Sequence, residues 1–374
     1  MSGQHLYGRS CYLGADPEVF VEKKGKIVPS FQFLPDKPIK GHRDNNPGEV
    51  ARDGIQAELH PHQYTCRQSL TWSIGNCVKL LKDRLPEGAK INFATQNTII
   101  PPAQFSKLSP DDRRLGCVAS LNVYGAAPLR VNQDTYRRRS AGGHIHFGGL
   151  AFDTIAHDDG TIKQPTEKAV QFVKTLDAIL ANTCVLIDRD PGAVARRRLY
   201  GRAGEFRLPT NDRLEYRTLS NFWMRAIYLQ SMVTGIGRQA LSIVQQNDAD
   251  MAKAVHYGGR WDAYGKLFEK LDEEKVRRAI NTNNYKLAFE NWLLVRDFIM
   301  NHTAAYSNGL GADRMTKFDT FLELVKKNGL DKYVPSDPIA HWSYQGLYGE
   351  KSPKGWRGGF ESFIDSQKWG TFSE

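Results

Sequence analysis

Five short stretches of this chain alternate between apolar and polar residues, and their polar positions carry charges that a merely solvated strand does not need. In Asp16-Pro17-Glu18-Val19-Phe20 the alternation places Asp16 and Glu18 on one side. Gly54–His60 groups Gln56, Glu58 and His60 opposite Ile55, Ala57 and Leu59. Gly142–Gly148 sets His144 and His146 against Ile145 and Phe147. Glu205 and Arg207 alternate with Phe206 and Leu208, and Arg213-Leu214-Glu215-Tyr216-Arg217 carries arginine, glutamate and arginine on a single face. Period two is strand geometry and brings same-face neighbours to about 7 Å. Such strands call for a sheet with one face on a core and the other available for chemistry.

Taken singly, each face has an ordinary explanation. A lone Glu or Arg on a strand is usually solvated, and Arg-x-Glu-x-Arg reads equally as a surface salt-bridge ladder. His-x-His between paired glycines is more telling, because glycine permits close backbone approach. Together the five faces combine oxygen and nitrogen ligands with guanidinium groups. Asp and Glu oxygens suit Mg²⁺ or Mn²⁺, His can add a nitrogen ligand, and Arg grips phosphate oxygens.

The intervening sequence supplies the helices that would cover the apolar face. Arg67–Leu85 has Leu70, Ile74, Val78, Leu81 and Leu85 on one stripe. A second helix follows Thr166, with Val170, Val173, Leu176 and Leu180 inward, and stops before Asp190-Pro191-Gly192. A third is expected from Ser220, its cap, through Phe222, Ala226, Leu229 and Val233. Residues 285–300 and 316–327 are further candidates, and a hairpin is expected around the Lys-Lys-Gly-Lys turn at 23–26. The pattern is α+β, with a mostly helical C-terminal part and without the regular alternation of a doubly wound parallel sheet. Residues 1–330 are read as the catalytic domain and 331–374 as an irregular, aromatic-rich extension packed on it.

Composition narrows the class. The 374 residues are 40% hydrophobic and 25% charged, the proportions of a soluble globular protein. The five cysteines show no CxxC or CxxH spacing, and no run is apolar enough for a membrane span, so a reducing cytoplasm is the expected home. Net charge is +10, which invites a nucleic-acid or phosphate partner. Arg113-Arg114, Arg137–Arg139 and Arg196–Arg198 keep an acidic polymer open as a partner, although nothing resembles a helix-turn-helix, RRM or zinc finger.

Gly14-Ala15-Asp16-Pro17-Glu18, Asp53–Leu59, Ser140–Gly148, Tyr200-Gly201-Arg202-Ala203-Gly204 and Leu214-Glu215-Tyr216-Arg217-Thr218 occur in an order that resembles the phage-associated COOH–NH2 ligase family. That family is a branch of the glutamine synthetase and glutamate–cysteine ligase superfamily, and the resemblance covers residues 12 to about 225. It implies a curved antiparallel sheet forming a funnel backed by helices, with ATP and Mg²⁺ (or Mn²⁺) as cofactors. A small-molecule or peptide carboxylate would be phosphorylated, and an amine would then attack the acyl phosphate. The ligand set so implied is Glu18, Glu58, His144 or His146, and Glu215. Asp16, shorter than the glutamate the superfamily often carries there, is left outside it. Arg213 and Arg217 are implied to face the phosphates, with Arg202 and Arg207 as further candidates to bind and stabilise the transferring group. A water-excluding lid is expected, and residues 101–140 are the candidate.

Two other readings compete. A zinc amidohydrolase also uses His-x-His on a strand but needs further histidines, for which His60, His62, His256, His302 and His341 are available. The other is a basic nucleic-acid-binding protein.

Overall fold

The computed structural model describes residues 11–41, 47–65, 67–113, 120–127, 131–132, 134–149, 155–156, 162–210, 212–257, 263–302 and 312–342. The strands are β1 (Tyr12–Lys23), β2 (Lys26–Val28), β3 (Ile39–Lys40), β4 (Glu49–Asp53), β5 (Gln56–His60), β6 (Lys90–Asn92), β7 (Asn97–Ile99), β8 (Leu121–Asn122), β9 (Arg138–Ser140) and β10 (Gly143–Gly148). They continue with β11 (Ile155–Ala156), β12 (Ile162–Gln164), β13 (Glu205–Thr210) and β14 (Arg213–Tyr216). A curled antiparallel sheet runs β3-β4-β5-β1-β10-β14-β13-β8, with β2 and β6 also pairing β1. The expected hairpin joins β1 to β2 through Lys24 and Gly25, both at positive φ.

The period-two residues divide as expected. Leu13, Ala15, Val19, Ala57, Leu59, Ile145, Phe147, Phe206, Leu214 and Tyr216 are buried in one hydrophobic core. Helix α1 (Arg67–Lys82) turns Leu70, Ile74, Val78 and Leu81 into that core. Two short helices follow, α2 (Pro102–Phe105) and α3 (Pro110–Arg113). Next come α4 (Glu167–Leu176), capped by Thr166, and α5 (Asn182–Val185). Between those two a π-helical segment, Asp177–Ala181, replaces the regular helix. Phe147 meets Phe172 of α4 edge-on, with ring centroids 5.0 Å apart.

The third helix differs from expectation. Ser220 does cap, but it caps a 3-10 turn, Asn221–Arg225. Ala226 is then fully extended, and the long helix begins only at Ile227. The turn lets Trp223 donate to the carbonyl of Gly143 at 3.1 Å, a bond that a continuous helix from Ser220 would redirect. In chain order the remaining helices are α6 (Pro191–Arg197), α7 (Ile227–Tyr257), α8 (Ala263–Phe268), α9 (Glu273–Asn281), α10 (Tyr285–His302), α11 (Ala312–Asn328) and α12 (Pro338–His341). Of the C-terminal extension, a 3-10 turn at Leu330–Tyr333 and α12 are described, and Trp342 donates to Met224 O at 2.8 Å. Residues 343–374, with Trp356 and Trp369, lie outside the described residues.

Parts of the candidate lid are packed on the body, and other described residues of it are exposed. Phe105 and Leu108 are buried, β8 pairs β13, and β9 pairs β7. Residues 114–119, 128–130 and 133 lie outside the description. No helix among the described residues is long and apolar enough to cross a membrane. Cys77 and Cys184 are buried free thiols, and Cys66 and Cys117 lie outside the described residues.

Candidate functional site

The polar residues converge because three strands are in a fixed register. Asp16 on β1 faces His144 on β10, Gly14 faces His146, and His146 in turn faces Glu215 on β14. Directly opposed residues on one face have Cβ atoms about 5 Å apart, so these side chains must meet. The paired glycines serve this arrangement. A Cβ on Gly143 would stand 2.2 Å from the carbonyl oxygen of Ser220 and 2.5 Å from the Trp223 indole nitrogen, so only glycine lets β10 lie this close to the turn behind it.

At the centre, Asp16 Oδ1 is 3.1 Å from His144 Nδ1, and Asp16 Oδ2 is 3.1 Å from His146 Nε2. Glu215 Oε1 lies 3.4 Å from His144 Nδ1. These distances are short but the groups are not aligned as hydrogen bonds. Asp16 Oδ1, His144 Nδ1, His146 Nε2 and Glu215 Oε1 are all buried without a hydrogen-bond partner. Ligand atoms of Asp16, His146 and Glu215 fall within 4.8 Å of one another. Buried polar atoms ordinarily find partners, and a convergent set of two carboxylates and imidazole nitrogen fits a Mg²⁺- or Mn²⁺-sized cation.

The electrostatics are consistent with a tightly coupled cluster. Burial alone would raise the Asp16 carboxyl, but the two imidazoles beside it hold it well below the usual carboxylate range. Burial lowers His144, with the Arg217 guanidinium adding to it and Asp16 opposing. His146 is raised despite its burial, because Asp16 and then Glu215 favour the imidazolium.

A second acidic group adjoins the first. Glu18 faces Glu58 across β1 and β5, and Gln56 donates to Glu18 Oε2 at 2.7 Å. Gly142 N–H donates to the same oxygen at 2.8 Å. Burial, then the charges of Asp53 and Glu58, push the Glu18 carboxyl well above its usual range. Glu58 pairs with His60 at 2.8 Å. A bound cation would relieve this like-charge crowding.

The arginines split. Arg207 grips Glu215 Oε2 through Nε (2.7 Å) and Nη2 (2.6 Å). Arg217 is buried, with Nε 3.2 Å from Glu215 Oε1 and Nη1 donating to the Ser120 hydroxyl at 2.6 Å. Arg213 stands opposite Gly148, at the far end of β14 from Arg217. Arg202 turns away, bonding Glu205 at 2.8 Å and the carbonyl of Ala127 at 2.8 Å.

The structure thus gathers Glu18, Glu58, His144, His146, Glu215, Arg207 and Arg217, and places Asp16, excluded on its length, at the middle. Ser120 carries no signal in the sequence, and Tyr200 enters there only as the first residue of the Tyr200–Gly204 motif, with no role given to it. Tyr200 lies in a Tyr-Gly-Arg turn, and its phenol meets His144 Nε2 at 2.6 Å.

Most of the arginine runs are absorbed internally. Arg137 donates to Ile100 O, Arg138 to Asn97, and Arg139 to the carbonyls of Tyr136 and Arg113. Arg196 donates to the carbonyls of Thr218 and Arg217, and Arg197 to Asn283. These contacts explain the runs without a polyanion; Arg198 is exposed and Arg114 lies outside the described residues. Of the other histidines weighed for zinc, His60 pairs with Glu58, His62 is exposed, and His341 sits on α12. The side chains of His256 and His302 lie outside the described residues.

Comparison with known proteins adds a family. The family model described as phage phiEco32-like COOH.NH2 ligase-type 2 matches residues 129–302. The match takes in His144, His146, Tyr200, Arg202, Arg207, Arg213, Glu215 and Arg217, and begins after Asp16, Glu18 and Glu58. No curated protein matches the chain. Among solved structures, a bifunctional glutathione synthetase from Pasteurella multocida aligns with 11% identity and a TM-score of 0.33. That alignment covers 84% of this chain and 52% of the other, so the chain spans about half the length of that protein.

Proposed function

Residues 129–302 belong to the phage-type COOH–NH2 ligase family, and from that premise we propose that the protein is an ATP-dependent carboxylate–amine ligase working through an acyl phosphate. On this reading the curled sheet is the funnel of the glutamine synthetase and glutamate–cysteine ligase superfamily, and residues 1–330 form the catalytic unit. The substrates are a small-molecule or peptide carboxylate and an amine, and the reaction takes place in a cytoplasm.

The observation that carries the reading is the adjacency of a convergent ligand cluster, Asp16, His146 and Glu215, to two guanidiniums fixed on the same glutamate. Either set alone has ordinary explanations; together they match the charge pattern of a cation–polyphosphate complex. Asp16, Glu18, Glu58, His144, His146 and Glu215 would hold Mg²⁺ or Mn²⁺, which supplies charge neutralisation between the anionic carboxylate and ATP. Arg217, Arg207 and, nearer the rim, Arg213 would bind the phosphate oxygens. Preorganised guanidiniums of this kind stabilise the charge of a transferring phosphoryl group. A substrate carboxylate oxygen attacks the γ-phosphorus as its bond to ADP breaks. The amine nitrogen then attacks the acyl carbon, phosphate leaves, and the nitrogen loses a proton.

The test is ADP release over a panel of carboxylates crossed with amines, with mass spectrometry of the products. ADP and an amide product should form together, only with added Mg²⁺ or Mn²⁺, and stop with chelator. Tightly held zinc with no ATP turnover, or full activity in chelator, would overturn the proposal.

A further inference from the structure

Two histidines stand where one ligand would do, and their surroundings are not equivalent. His146 has Gly14 on one side and Glu215 on the other, and its imidazole lies among the cluster's ligand atoms. His144 is held at both ends. Its Nε2 meets the Tyr200 hydroxyl at 2.6 Å, and its Nδ1 points between Asp16 Oδ1 and Glu215 Oε1, aligned as a hydrogen bond with neither.

The Tyr200 contact is built rather than incidental. The Tyr200 ring lies under two guanidiniums, with Arg196 Cζ 4.4 Å and Arg217 Cζ 5.1 Å from its centroid. Arg196 is itself fixed by the carbonyls of Arg217 and Thr218. The hydroxyl can reach His144 because residue 142 is glycine. A Cβ there would stand 2.2 Å from the Tyr200 oxygen and 2.3 Å from His144 Nε2. One motif therefore supplies the phenol and the other supplies both the imidazole and the gap between them.

Resting on the cation-site reading above, we propose that Tyr200 is a positioning residue that holds the His144 ring with Nδ1 toward the cation site. The phenol can donate to Nε2 or accept from it. Without a cation Nδ1–H faces Asp16 and Glu215 and the phenol donates to Nε2; with one, Nδ1 offers its lone pair and Nε2–H donates to the phenol oxygen, so the same contact serves His144 as a ligand. A ligating histidine commonly has its second ring nitrogen held in this way, and loss of such a partner lowers metal affinity about 10- to 100-fold.

The experiment uses the full chain labelled with ¹⁵N-histidine, with His144 assigned by comparison with His144→Gln. In metal-free wild type, Nε2 of His144 is expected as the unprotonated nitrogen that accepts from the phenol, and saturating Mg²⁺ should move the proton from Nδ1 to Nε2. Tyr200→Phe should shift the metal-free Nε2 signal and raise the Kd for Mn²⁺, measured calorimetrically, by about 10- to 100-fold. A wild-type His144 that keeps its Nδ1 proton when Mg²⁺ is bound overturns the proposal without recourse to any folded Tyr200 variant. So does a Tyr200→Phe protein with unchanged nitrogen signals and unchanged Mn²⁺ affinity. Wild type that takes up no Mn²⁺ overturns the cation reading itself, a failure distinguishable because the Tyr200 contact is read without metal.

Discussion

Glu215→Gln removes one charge and almost no volume from the most connected residue of the site. The carboxylate is 1% exposed and lies between Arg207, Arg217 and His144, at 2.6, 3.2 and 3.4 Å respectively. Losing one partner of a buried pair costs about 3–5 kcal/mol, because the remaining charge stays out of water. Arg217 is 2% exposed and bears the full effect, whereas Arg207 is 28% exposed and can be partly resolvated. The expected loss is therefore near the lower end, about 3 kcal/mol. Relief of repulsion from Asp16 works the other way, but the cations are the closer neighbours and decide the sign. For a chain of 374 residues, the corresponding fall in Tm is roughly 4 °C. Urea unfolding of metal-free protein, followed by circular dichroism, measures the stability; ADP release measures the chemistry. The variant should fold, unfold at a lower midpoint and form no amide product. An unchanged midpoint would refute the buried-pair reasoning, and wild-type turnover would remove Glu215 from the reaction.

Two further perturbations separate the phosphate site from the scaffold. Arg217→Lys keeps the charge but cannot reach Glu215 and Ser120 with one planar fork; KM for ATP should rise at least about tenfold, a loss of roughly 1.4 kcal/mol of binding, and an unchanged KM and kcat would take Arg217 out of the nucleotide site. Beneath the sheet, burial pushes the Asp177 carboxyl up to about 7, with the Tyr216 hydroxyl donating to it at 2.5 Å. The folded state keeps this proton after the unfolded chain has lost it near 3.8, so the stability it contributes is full below that pH and falls as pH rises towards 7. About three pH units at roughly 1.4 kcal/mol each give a loss of about 4 kcal/mol. Asp177→Asn should lack this slope, gaining on wild type between about pH 4 and pH 7 in urea unfolding; parallel pH profiles would dismiss Asp177 as the titrating group.

Much of the site was legible in the sequence because period two is a local property. Alternation alone assigns His144 and His146 to one face and Ile145 and Phe147 to the other, and the same holds for Glu215 between Leu214 and Tyr216. Strand alternation and helix stripes likewise disclosed an α+β chain, and caps such as Thr166 sit where local hydrogen bonding puts them. The break at Ala226 was not legible, since its cause is the bond from Trp223 to Gly143, eighty residues away. Arg202 and Arg207 were indistinguishable in sequence, both near glutamates. Only the turn at Gly201 and the β13–β14 register send one to Glu205 and Ala127 and the other to Glu215.

What the sequence determined by itself, then, is which residues share a face, because a strand's side-chain direction follows from its own backbone. Which of those faces meet is set by long-range packing instead. The pairing of β1 with β10 and of β10 with β14 makes Asp16 central despite its short side chain, since the register brings its carbon frame directly opposite His144. The same pairing delivers Tyr200 to His144 across a gap that glycine leaves. Register and close approach are long-range quantities, fixed by the packing of the core beneath the sheet.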